Sequence, residues 1–147
     1  HPGLDKKEDQ ISPSPMPGGR LRENVYFLML RALNLYQSSY LPKQEALGTS
    51  ISEARAIILL SDSPELFADG IPQFANAPQS EVIEILKNLS DRGWLVQAGN
   101  GYTLTDKGQI KAEQLWALAD THEGIIFKDL SDAEMTSYKH ILRNVGS

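Results

Sequence analysis

Apolar positions along the chain follow a helical rhythm almost throughout, broken once by a short stretch that alternates. Over residues 80–89, Val82, Ile85, Leu86 and Leu89 recur at three- and four-residue steps, which predicts a helix with one buried face. Asp91-Arg92-Gly93 ends it, with glycine free to take the left-handed conformation that closes a helix. Residues 94–97 and 102–104 are β-prone, and Gly99-Asn100-Gly101 between them supplies positive-φ positions for a hairpin. Thr105 is placed to cap a following helix through its hydroxyl. Helix, strand, tight turn, strand, helix is the order of a winged helix, here with a very short wing.

The flanks extend the pattern. Residues 22–39 read as a helix that is apolar nearly all round, from Val25, Tyr26 and Phe27 to Leu33, Leu35 and Tyr36, and such a helix demands burial on several sides. Ser50-Ile51-Ser52-Glu53 has the form of a capping box opening a helix over 53–60. Ser61-Asp62-Ser63-Pro64 breaks that helix, and Asp69-Gly70-Ile71-Pro72 breaks the chain again before a short helical turn over 73–76. A long helix from Asp106 to about Ile126 has Ile110, Leu115, Leu118, Ala119, His122, Ile125 and Ile126 for an apolar side. Ser131 and Glu134 form a second capping box, and Met135, Tyr138, Leu142 and Val145 share a stripe on the final helix.

Three short motifs stand in order along the chain: Arg92-Gly93-Trp94-Leu95-Val96, Leu104-Thr105-Asp106-Lys107-Gly108 and Leu130-Ser131-Asp132-Ala133-Glu134-Met135. Through them, over roughly residues 21–145, the chain resembles the MarR family of bacterial transcription regulators. The resemblance implies a mainly α fold with a small β-hairpin: a winged helix-turn-helix over about 50–105, with helices over about 22–40 and 106–147 as a dimerisation platform. It also implies a symmetric homodimer that binds duplex DNA and answers to a small aromatic effector bound between platform and winged helix. Tyr36, Tyr40, Phe74 and Trp116 are the aromatics available to line such a pocket, each with a plain core role as its alternative.

Composition narrows the picture. At 147 residues the chain has the size of one domain. No apolar run approaches the ~20 residues that span a bilayer, and no secretory leader is visible, so the expected home is the cytoplasm. Residues 1–20, with four prolines and mixed charges, read as a flexible arm, and the missing initiator methionine reads part of it as an appended or processed end. Cysteine is absent, which excludes thiolate catalysis and cysteine redox sensing. His1, His122 and His140 lie far apart, with neither metal-ligand spacing nor a glycine-rich phosphate loop nearby, so no enzyme, metal or cofactor is expected.

Charge complicates the DNA reading. Protein–DNA affinity rests largely on lysine and arginine meeting phosphates, yet between Ser61 and Asp91 six acids face the single base Lys87. The wing has no cation, whereas the resemblance implies an arginine there for the minor groove. The remaining DNA candidates are Gln79, Ser80 and Lys87 on the recognition helix, Arg92 after it, and Asn100 at the wing tip. Helix capping by Gln79 and Ser80, and pairing of Arg92 with Asp91 or Glu45, are their structural alternatives. The functional alternative is a winged helix that has lost DNA binding and offers an acidic face, around Glu65, Asp69, Glu81 and Glu84, to a basic protein.

Overall fold

Side-chain caps set where most of the helices begin. In the computed structural model, which describes residues 15–67 and 78–147, Asn24 Oδ1 accepts from the Phe27 N–H at 2.8 Å and opens α1, Val25–Ala46. Ser50 and Glu53 form the anticipated reciprocal box at the start of α2, Ile51–Asp62. A 3-10 turn, Pro64–Phe67, follows α2 and drives Phe67 into the core. Next come α3, Gln79–Asp91, then β1, Leu95–Ala98, and β2, Gly101–Leu104. The chain ends with α4, Asp106–Ile126, and α5, Asp132–Asn144, the latter opened by the Ser131–Glu134 box. Among the described residues the fold is five α-helices and one antiparallel hairpin, the winged-helix arrangement expected.

The chain divides into two compact units, one of Leu41–Ala119 and one of the residues up to Tyr40 with Asp120–Ser147. The first of these has a continuous core. Ile57 and Leu60 of α2, Phe67, Val82, Leu86 and Leu89 of α3, Trp94, Leu95, and Ala112 and Leu115 of α4 are all removed from solvent. Truncating one of its larger aliphatic residues to alanine costs about 2–5 kcal/mol. This unit takes in α4 as far as Ala119.

The other unit has almost no interior of its own. His122 is its only buried side chain among the described residues, while Val25, Tyr26 and Met29 are 69%, 73% and 60% exposed. The apolar surface of α1 that asked for burial on several sides is thus left open within a single chain.

Two expectations are corrected here. α1 starts at Val25, after a 3-10 turn at Gly19–Glu23, and continues through Pro42 to Ala46 instead of stopping at Ser39. Beyond Pro42 the helix end carries a hydrogen bond from the Thr49 hydroxyl to the Gln44 carbonyl at 3.1 Å, with Gln44 buried. Ile110, assigned to the apolar side of α4, is exposed, and Ala112 and Leu115 take the inward positions. His122, counted on the apolar side of α4, is fully buried. The expected breaks at 69–72, the turn at 73–76, Phe74 and the arm up to residue 14 lie outside the described residues.

Candidate nucleic-acid interface

The geometry of α3 follows from its stripe. Val82, Leu86 and Leu89 point into the core, which turns Ser80, Glu84, Lys87 and Asp91 to the opposite side, all exposed. Pro78, extended, is the N-cap and makes no side-chain cap, so Gln79 and Ser80 are helical residues of the first turn with exposed side chains. The capping alternative for these two residues therefore fails. Their polar groups remain available outward.

The far end of α3 is locked to the wing by hydrogen bonds. Gly93, at φ 77°, takes the left-handed conformation; its N–H bonds to the Ser90 carbonyl and that of Trp94 to the Leu89 carbonyl, both at 3.0 Å. Thr105 continues the lock: its hydroxyl donates to the Gly93 carbonyl at 2.6 Å and accepts from the Gly108 N–H at 3.1 Å. A Cβ at Gly108 would run into the Trp94 carbonyl. The threonine and glycine of the Leu104–Gly108 segment thus fasten the base of the wing onto α4.

The wing itself is two four-residue strands, with Leu95 opposite Leu104 and Ala98 opposite Gly101. Gly99 and Asn100 make the whole turn, Gly99 at φ 61°. Asn100 is exposed at the tip.

Arg92 has a partner other than the two considered from sequence. Its guanidinium bonds to the Glu53 carboxylate at 3.1 Å and stacks 4.0 Å from the centre of the Trp94 ring. Lys111 approaches the same ring at 5.4 Å and donates to the Leu47 carbonyl at 2.8 Å; Lys107 donates to the Arg92 carbonyl at 3.3 Å. Partial burial works to raise the Glu53 pKa, but hydrogen bonds from the Ser50 backbone, from Arg92 and from the Ser50 hydroxyl, with the charge of Arg92, bring it below the usual glutamate value. Three cations near the end of α3 are therefore committed to holding the fold together. Of the sequence candidates, Gln79, Ser80 and Lys87 share α3, Asn100 sits on the wing, and Arg92 is engaged.

The unit built from α1, α4 and α5 contains an apolar cleft of about 570 Å³, lined among others by Tyr26, Met29, Tyr36, Phe127, Tyr138 and Leu142. An ion pair at 2.7 Å between Lys139 and Glu123, both lining residues, adds charge to it. Of the four aromatics named from sequence, Tyr36 lines this cleft. Tyr40 packs beside Tyr36, with ring centres 5.3 Å apart. Trp116, in the other unit, is 37% exposed, and Phe74 is not among the described residues. His122 stands edge-on to Tyr36 at 4.7 Å between ring centres, with Nε2 3.0 Å from the Tyr36 carbonyl and 3.3 Å from Ser39 Oγ. A carbonyl only accepts, so Nε2 carries the proton. Burial, then the neighbouring Tyr40 and Glu123, raise the Tyr36 pKa, and burial raises that of Tyr40, so both hydroxyls stay protonated at neutral pH. The sequence placed His122 on the apolar side of its helix but not its partners on α1, which packing alone brings to it.

Among the described residues no cluster of histidine, aspartate or glutamate is placed to hold a metal ion, and no helix is long and apolar enough to cross a membrane. No protein-family model matches the chain. Solved structures do. The Mycobacterium tuberculosis MarR family protein Rv2887, in complex with DNA, superposes with a TM-score of 0.74 at 21% identity, over 84% of this chain and 98% of that one. The MarR family transcriptional regulator SPO1453 from Silicibacter pomeroyi gives 0.72 at 23%, over 87% and 96%. CouR from Rhodococcus jostii, bound to p-coumaroyl-CoA, gives 0.71 at 16%, over 87% and 95%. The fold of this chain is that of the MarR-type winged-helix regulators.

Proposed function

We propose that this chain, built on the MarR-type fold, belongs to that family and is a homodimeric transcription regulator that reads duplex DNA with α3 and the wing. The observation that carries the reading is the outward face of α3. A core of Val82, Leu86 and Leu89 fixes the helix, and its exposed first turn, with Gln79 and Ser80, is where a recognition helix meets base edges. Fold likeness to Rv2887, which was solved on DNA, supports the same docking. The reading places the protein in the cytoplasm and gives it no catalytic role.

The exposed apolar side chains of α1 and of the C-terminal segment support dimerisation. Val25, Tyr26, Met29, Leu33, Ile141 and Val145 form too much exposed apolar surface for a monomer to leave in water. An aromatic effector is the ligand class that Tyr36 and Tyr40 suit, and CouR, with its p-coumaroyl-CoA, supports it by likeness.

Binding is weak and steeply dependent on context, because Lys87 is the one cation on α3 and the wing contributes none. The same charge pattern favours a second reading, in which the acidic face with Glu65, Glu81 and Glu84 meets a basic protein instead of DNA. Fluorescence anisotropy with a pool of labelled genomic duplexes, at low and near-physiological salt, separates the two. Salt-sensitive binding that selects particular fragments supports the regulator. A folded dimer that binds nothing even at low salt sinks it in favour of the second reading.

A further inference from the structure

The acid on the reading face of α3 has a consequence for base preference, one that rests on the DNA-binding reading. Ser80, Glu84, Lys87 and Asp91 lie along one line, spaced four, three and four residues apart, opposite the buried stripe. Ile83, beside Glu84, is 49% exposed. The first two turns of a recognition helix are the part that reaches base edges. Within them the exposed groups are the amide of Gln79, the hydroxyl of Ser80, the apolar side chain of Ile83 and two carboxylates, Glu81 on the flank of the helix and Glu84 opposite the buried stripe.

An ionised carboxylate only accepts hydrogen bonds. In the major groove the phosphates, guanine N7 and O6, adenine N7 and thymine O4 are acceptors as well and repel it. Donors are offered only by adenine N6 and cytosine N4. Adenine sets its amino group beside the acceptor N7, so a carboxylate there faces one favourable and one unfavourable atom, whereas cytosine presents its amino group with no acceptor next to it on that edge. Lys87, one turn further on the same line, offsets part of the repulsion from the backbone. We infer that Glu84 is a specificity-determining residue that accepts from the N4 amino group of a cytosine in each half-site, with Ile83 against a neighbouring thymine methyl.

The same carboxylate disfavours every other register on DNA, so the acidic face serves discrimination at the expense of general affinity. The exposure of Glu84 lets it be replaced without disturbing the core.

The test is selection from a random duplex library by the full chain, followed by titration of the enriched duplex and its single-base variants. Wild type should enrich cytosine at one position per half-site, and replacing that base should weaken binding on the order of 10- to 100-fold. Glu84→Gln should shift the preference to adenine, whose N6 and N7 a glutamine amide matches. Glu84→Ala should lose the preference and bind unselected duplex more tightly than wild type. An unchanged motif in Glu84→Ala, or guanine or thymine enriched where cytosine is expected, overturns the inference and leaves DNA binding intact. A wild-type protein that enriches no duplex at low salt removes the DNA reading itself and this inference with it.

Discussion

At the scale of single residues, two glycines on α4 make opposite predictions. Gly108 lies against the Trp94 carbonyl, so Gly108→Ala must push the wing and α4 apart and should lower stability by about 1–3 kcal/mol in urea unfolding. Gly124 has open space around its Cβ position, and Gly124→Ala should stabilise by roughly 0.5–1 kcal/mol through helix propensity. Equal effects of the two substitutions would refute the packing described. Lys87 is the residue whose loss should matter most to phosphate contact. Lys87→Ala should weaken binding across all sequences and flatten the plot of log affinity against log salt by about one unit per contact removed. An unchanged slope would place Lys87 off the backbone.

Between elements, the Glu53–Arg92 pair ties the start of α2 to the end of α3. Glu53 has a folded pKa below its unfolded value, so the stability it adds is present above the unfolded pKa of about 4.3 and disappears as pH falls through the lower folded value. Glu53→Gln keeps an acceptor for the Ser50 N–H but loses the charge. Thermal unfolding should show wild type ahead by roughly 0.5–1 kcal/mol at neutral pH, the discount reflecting the exposure of Arg92. The gap should narrow as pH falls below the unfolded pKa and close below the lower folded one; one that persists there would mean the charge is not its origin.

For the whole molecule, the contrast between the two units bears on the proposed homodimer. The Leu41–Ala119 unit encloses a core, while the unit of the residues up to Tyr40 and Asp120–Ser147 leaves apolar side chains open. If the proposed dimer uses α1, Met29→Glu together with Leu33→Glu should shift the protein to monomer in light scattering and weaken the proposed DNA binding, since two half-sites would no longer be bound together. A variant that remains dimeric would move the interface off α1.

Much of this structure was legible in local pattern. The α3 stripe, both serine–glutamate boxes, the glycine stop at Gly93, the short wing and the Thr105 cap are features whose interactions close within a few residues, and each stands where its spacing put it. The absence of cysteine and the scarcity of cations around α3 were likewise plain from the sequence. Tertiary structure decided the rest, because the groups that matter are distant along the chain. Arg92 found Glu53 instead of Asp91 or Glu45, and its ion pair and its stacking on Trp94 tie it into the fold. α1 runs through Pro42 to Ala46, where the Thr49 hydroxyl bonds to the Gln44 carbonyl. His122 became interior because α1 lays Tyr36, Ser39 and Tyr40 over it. Local spacing determines which face of a helix is apolar; only packing determines what covers that face.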